Sequence, residues 1–276
     1  MYTNKLIDFH THVFPDKLYN AIKDWFIKNA GWDFYFKGSS EDVLNFLEKD
    51  DRIIKYVCFG YAHKPNISEK LNEFYININQ VFKKAIALGC FHQDDDNLKI
   101  VLKRAFSKGL IGFKLHCQVQ KVSPDDERLY KVYDIVMENN GFILFHAGTG
   151  PFPNEFVGFR HFEKVLKKFP QLKCVVAHLG CFEESFLEAS LFYENLYLDT
   201  SYTFIANPTN IMSVPVEFVK KASHKIFFGS DFPGICHSYE DSVKAIAKLP
   251  LTEEERSNIF YNNANDFLQK LAKKRS

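Results

Sequence analysis

The sequence predicts an α/β protein built as a single-domain (β/α)8 barrel with a longer insertion after its first strand. Three observations predict it. Eight short apolar runs, rich in β-branched and aromatic residues, alternate with longer amphipathic stretches across the 276 residues, and eight such units in about 250 residues is the count of a closed barrel. The first run ends in His10-Thr11-His12, where a doubly wound open sheet would place a glycine-rich phosphate loop. Polar residues of catalytic type gather at the C-terminal ends of the runs, the rim at which a barrel carries its chemistry.

The predicted strands, in order, are KLIDFHTH (5–12), IIKYVCFGYA (53–62), AIALGCFH (85–92), LIGFKLHC (110–117), GFILFHAG (141–148), LKCVVAHLG (172–180), NLYLDTSY (195–202) and KIFFGSDFP (225–233). Between the first two lies the insertion, with the aromatic stretch GWDFYFKG (31–38) and the helical pattern EDVLNFLEKDD. The clearest helix is predicted to start at Ser123-Pro124-Asp125-Asp126, with Ser as cap and Pro in the first turn. It stops at Asn139-Asn140-Gly141, a C-terminal turn signal. RHFEKVLKKF also has helical spacing. No repeat, low-complexity tract or linker interrupts the chain, so one domain over 1–276 is expected.

Composition narrows the class. The chain is 46% hydrophobic and 25% charged, with 35 Lys and Arg against 34 Asp and Glu. Near-neutral charge gives nucleic acid little to pull on. No run is long enough to span a membrane, and Met1 leads into no signal peptide. The six cysteines form no C-x-x-C pair, which reads as reduced thiols in a cytoplasmic protein. The expected partner is a small-molecule substrate, with neither nucleic acid nor membrane, and a homodimer is an assembly state that the sequence admits.

Eight of the ten histidines stand at or just beyond the C-terminal end of a run: His10, His12, His63, His92, His116, His146, His178 and His237. Strand alternation puts His10 and His12 on one face together with Leu6 and Asp8. The same parity groups Lys114 with His116, Phe142 and Leu144 with His146, Val176 with His178, and Phe227 and Gly229 with Asp231. Two imidazoles converging on a barrel axis make a seat for a divalent metal, and zinc favours nitrogen ligands completed by a carboxylate. A metal bound by His10, His12, His146 and Asp231 follows from parity and strand ends, with His178 and Lys114 close by.

In IDFHTHVFP, GLIGFKLH, ILFHAG, FPQLKCVVAHLG, IFFGSDFP and NIFYNNANDFL the chain resembles the amidohydrolase superfamily. Within it, the resemblance is to the branch that includes aminocarboxymuconate-semialdehyde decarboxylase. The resemblance implies a divalent metal, usually zinc, held by His10, His12, His146 and Asp231, and makes His178 the catalytic histidine. The expected activity is metal-dependent hydrolysis of a small carboxylate-bearing or aromatic substrate through a metal-activated water. Asp231 would accept that water's proton and His178 would polarise the attacked carbonyl. Non-oxidative decarboxylation with the same metal set is the alternative. A silent ligand-binding barrel would be missing a metal ligand, and none is missing. The chain departs from its relatives at His92-Gln93-Asp94-Asp95-Asp96 and at LHCQVQ, both on rim loops, so no relative's substrate carries over.

Other residues keep open readings. Lys114 is a carboxylated lysine bridging two metals, a cation for a substrate carboxylate beside a single metal, or a buried lysine paired with an acid. Asp8 is expected to accept from a ligand imidazole and orient it. Trp32, Phe34 and Tyr35 belong either to a lid over the substrate or to core packing. Arg160 is either a carboxylate clamp or a surface residue.

Overall fold

In the computed structural model, residues 4–150, 152–181, 183–205 and 214–273 are described. Each of the eight apolar runs forms strand. They are β1 (Leu6–His12), β2 (Ile53–Phe59), β3 (Ala85–Ala87) with β4 (Gly89–Cys90), β5 (Gly112–His116), β6 (Phe142–His146), β7 (Lys173–Val176), β8 (Leu196–Asp199) and β9 (Ile226–Phe227). β3 and β4 are halves of one barrel position interrupted at Leu88, whose N–H still donates to Cys58 O at 2.9 Å. All pairings are parallel, β1-β2-β3 on one side of the interruption and β4 to β9 in order on the other. The ring closes between β9 and β1: Phe9 N–H donates to Phe228 O, Asp231 N–H to His10 O and His12 N–H to Phe232 O, at 2.7 to 2.9 Å. Closure leaves no sheet edge exposed.

The insertion holds α1 (Asp16–Ala30) and α2 (Ser40–Lys49). α1 stops where Gly31 takes a left-handed conformation (φ 64°). α2 starts with a reciprocal cap, Ser39 accepting the Asp42 N–H while the Asp42 carboxylate accepts the Ser39 N–H. Around the barrel follow α3 (Ser68–Val81), α4 (Leu98–Ser107), the short α5 (Cys117–Gln120), α6 (Tyr130–Glu138), α7 (Phe159–Lys168), α8 (Glu184–Phe192), α9 (Val216–Lys221), α10 (Tyr239–Ala247), α11 (Glu253–Ser257) and α12 (Asn263–Lys273). The helix expected from Ser123 begins later. Ser123 O accepts from Asp126 N–H in a turn, Asp126 is the cap, and one 3-10 turn at Glu127–Leu129 leads into α6. Its end is as predicted: Asn140 is left-handed (φ 48°) and Gly141 N–H returns to Val136 O.

Two cores result. Outward residues of the strands pack under the helices. Inward residues, among them Ile7, Phe9, Phe59, Phe142, Leu144, Val175 and Phe227, fill the barrel. α12 plugs the end at which the strands begin: the Phe267 ring lies 5.2 to 5.8 Å from Phe9, Phe142 and Phe227. Packing thus seals one pole and leaves the other to the histidines. Among the described residues, no helix is long and apolar enough to cross a membrane.

Simple alternation fails on two strands. The register of β1 on β2 slips between Asp8 and Thr11, so Phe9 and His10 both turn inward while Leu6 packs outside. A bulge of this kind re-aims the side chains beyond it. On β7, Val175 and Ala177 face in and Val176 faces out, so alternation alone would send His178 outward. The backbone instead turns left-handed at His178 and Leu179 (φ 58° and 50°) and carries the ring back to the axis. The shared faces expected for Leu6 and Asp8 with His10, and for Val176 with His178, are therefore corrected.

Candidate metal centre

The bulge in β1 stands His10 above the Phe9 floor, with His12 two residues further up the same inner face. Asp231 reaches them from the loop after β9, left-handed at φ 66° and tied by its N–H to His10 O. Three donor atoms meet: His10 Nε2 and His12 Nε2 are 3.3 Å apart, and Asp231 Oδ1 is 3.2 Å from the first and 3.1 Å from the second. Donors each about 2.1 Å from one cation stand roughly 3.0–3.4 Å apart, so this spacing fits a metal ion.

The His10 tautomer agrees with that fit. His10 Nδ1 donates to Asp199 Oδ2 at 2.8 Å, which leaves a lone pair on Nε2. Asp199 Oδ1 accepts the N–H groups of His178 (3.1 Å) and Ser201 (3.0 Å) and the Ser201 hydroxyl. Despite its burial, Asp199 is held below the usual carboxylate range by His10 beside it. Next to this set, His178 Nδ1 donates to Ser201 O (2.9 Å) and His146 Nε2 donates to Gly150 O (3.2 Å). Each ring therefore turns a lone pair to the other, His178 Nε2 and His146 Nδ1 being 3.1 Å apart. Two lone pairs at that distance repel unless a proton or a cation lies between or beside them.

The sequence placed His146 with His10, His12 and Asp231. The structure brings those three to one point and sets His146 in an adjoining group with His178 and Cys181, whose ligand atoms lie within 4.8 Å of one another. The reason is local: the His146 ring stacks on His116 (4.1 Å between centroids) and is tethered to Gly150. The His10 and His178 rings are 5.1 Å apart, so the two groups adjoin.

Burial keeps the imidazoles in their ligand state. It pulls His12 down to about 4 and also lowers His146 and His178. His10 goes the other way, because Asp199 outweighs the burial. Asp231 is kept ionised, well below its ordinary value, by His10 and His12 against its own burial.

Lys114 lies inside the barrel as predicted. Its Nζ is sealed from solvent, without a hydrogen-bond partner, 4.7 Å from the Phe59 ring centroid. Burial lowers it to about 8, against the pull of Asp199 and Asp231. Among the described residues no acid pairs with it directly, which leaves the paired-lysine reading without support. Asp8 is also corrected. Its Oδ1 accepts the backbone N–H groups of His10 (3.1 Å) and Ser230 (3.1 Å), and it touches no imidazole, because the bulge leaves it on the outer face. The acceptor behind the ligand imidazole is Asp199, which the sequence reading passed over. Its signal was present in NLYLDTSY, an acid at the end of a strand run, the same criterion that singled out Asp231.

Of the aromatic insertion, Trp32 lies 5.2 Å from Tyr202 at the rim, Phe34 is buried in a small core with Phe14 and Tyr19, and Tyr35 is exposed. Phe34 therefore takes the packing reading, and Trp32 packs on Tyr202 after β8. Arg160 is exposed at the start of α7 and donates to His161 and to Glu155 O, away from the centre. All six cysteines are free.

The fold is shared with solved structures. An uncharacterised TIM-barrel protein from Bordetella bronchiseptica superposes with a TM-score of 0.74 at 17% identity, covering 97% of this chain and 99% of that one. The 5-carboxyvanillate decarboxylase of Novosphingobium aromaticivorans, solved with manganese and a nitrobenzoic acid, gives 0.66 at 13% identity over 98% and 99%. The 2,6-dihydroxybenzoate decarboxylase from Rhizobium gives 0.64 at 13% over 98% and 99%. No curated protein matches the chain in sequence. The family model described as amidohydrolase matches residues 7–270. With its parallel barrel and its histidines and aspartate at the C-terminal rim, the chain belongs to the amidohydrolase family.

Proposed function

We propose that the chain is a metal-dependent hydrolase of a small carboxylate-bearing or aromatic substrate. His10, His12 and Asp231 hold the cation, and His146 and His178 face it. The observation that carries this reading is the meeting of two imidazole nitrogens and one carboxylate oxygen at 3.1 to 3.3 Å, with the His10 tautomer fixed from behind by Asp199. Bound there, zinc or another divalent ion supplies Lewis-acid chemistry, withdrawing electron density from the oxygens of water and of a substrate carbonyl or carboxylate. Asp231, kept ionised, accepts a proton in the cavity. His178 Nε2 carries a lone pair that takes up a proton and returns it to a leaving group, and its Nδ1–H bond to Ser201 O holds the ring in place for both transfers. Asp199 orients His10 and, through the His178 N–H, the left-handed turn that bears His178.

Decarboxylation is the second reading. It is favoured by the aromatic rim of Tyr61, Trp32 and Tyr202 and by the decarboxylases among the structural neighbours. His178, once protonated, would then deliver its proton to a ring carbon as carbon dioxide leaves. The test is to load the purified protein with zinc or manganese and offer aromatic acids in one arm, amides, esters and lactones in the other. Released carbon dioxide selects decarboxylation, and a new acid without carbon dioxide selects hydrolysis. Turnover that survives complete removal of metal by dipicolinate would rule out both.

A further inference from the structure

Two polar groups on the rim are left without a role by the metal centre. His116 ends β5 in register with His146, and the two rings lie flat together, with centroids 4.1 Å apart and planes 13° apart. Its Nδ1 accepts the Val119 N–H at 3.4 Å, so the ring proton sits on Nε2. Its backbone N–H donates to Gln120 Oε1 (3.0 Å), and Gln120 Nε2 is in turn tied to Phe91 O (2.9 Å). Stack and tether together fix the ring. Tyr61 packs edge-on against His116, with centroids 4.9 Å apart, and also against His12. Neither the His116 Nε2–H nor the Tyr61 hydroxyl has a hydrogen-bond partner among the described residues, and both residues are partly exposed.

Resting on the reading of the centre as an enzyme for a small acidic or phenolic substrate, we infer that Tyr61 and His116 form an uncharged two-donor seat for the substrate's anionic oxygen, a carboxylate or phenolate oxygen held away from the metal. The imidazole N–H can only donate, so its natural partner is an acceptor-only oxygen. Neither of the two cations weighed as a clamp is free at the rim: Arg160 is held by Glu155 O and the Lys114 Nζ is sealed from solvent. A second cation on the rim would stand close to the bound metal and be repelled by it. Neutral donors avoid that repulsion and still leave a costly unpaired polar group when a substrate lacks the oxygen.

The experiment uses the zinc-loaded protein, with benzoate and 2,6-dihydroxybenzoate as acid probes and the corresponding methyl ketones as neutral controls. Calorimetry gives the dissociation constants for the parent, Tyr61→Phe and His116→Phe. Each variant is expected to keep its metal and to bind the acids about 10- to 100-fold more weakly, the range for one charge-assisted hydrogen bond. Ketone binding should change less than about threefold. In parent protein carrying ¹⁵N-labelled histidine, the His116 Nε2–H resonance should move downfield when an acid probe saturates the site. That reading needs no variant to fold. Acid binding unchanged in both variants, a His116 resonance unmoved by saturating acid, or a parent that binds neither acid would each overturn the inference. Donor-dependent binding without turnover of any candidate substrate would instead sink the enzymatic reading and leave the seat standing.

Discussion

Asp8, sealed between β1 and the loop after β9, carries a titration that is visible without any substrate. Burial pushes its carboxyl up to about 6, although it accepts two backbone N–H groups. Because the folded value exceeds the unfolded 3.8, the folded state binds more protons between the two. Stability is then fully present below about pH 4 and is lost as pH rises to about 6, by about 3 kcal/mol at ~1.36 kcal/mol per unit. Asp8→Asn should flatten this part of the pH profile in urea unfolding of the metal-free protein, and parallel profiles for variant and parent would refute it. A second prediction separates orientation from ligation. Asp199→Asn should weaken zinc binding about 10- to 100-fold, because it frees the His10 tautomer. His178→Asn should keep the metal and lose turnover. Metal content measured after dialysis against zinc buffers decides both, and a His178→Asn protein as empty as His10→Ala would make His178 a ligand. The members of the centre that the sequence could show are those for which strand ends suffice: His10, His12, Asp231. Asp199 met the same criterion and was overlooked. Ser201 could not be read at all, because its contacts depend on how the chain turns after β8.

At the scale of elements, the eight strands were legible because each is a short β-branched or aromatic run ended by a polar residue or glycine. The phase within two of them was not. The β1 bulge and the left-handed turn at His178 and Leu179 have no glycine at the critical position to announce them. Turns of this kind cost roughly 1–2 kcal/mol for each non-glycine residue in the left-handed region and persist where surrounding packing imposes them. Where such a conformation has no evident role, the cost can be recovered. Lys121 ends α5 at φ 52° and is exposed, so Lys121→Gly should stabilise the protein by about 0.5–1 kcal/mol. A lower denaturation midpoint in that variant would show that the lysine side chain supplies a contact that outweighs the strain.

On the scale of the molecule, the barrel divides its labour between poles. α12 closes the floor through Phe267 (3% exposed), so Phe267→Ala should cost about 3–5 kcal/mol while leaving zinc stoichiometry unchanged. A loss of metal in a still-folded variant would mean that floor and rim are coupled. The seam of the ring has a different consequence. β1 and the loop after β9 are the first and last parts of the barrel to leave the ribosome, and the backbone bonds that join them run through His10, His12 and Asp231, the residues that meet at the centre. A chain still in synthesis can present only two of these three donors, and the third arrives with the segment that shuts the ring. On the proposed reading, full metal capture would then wait for completion of the barrel. An ion held by His10, His12 and Asp231 would clasp the two ends of the fold together, so that parting the seam and releasing the metal would become one event.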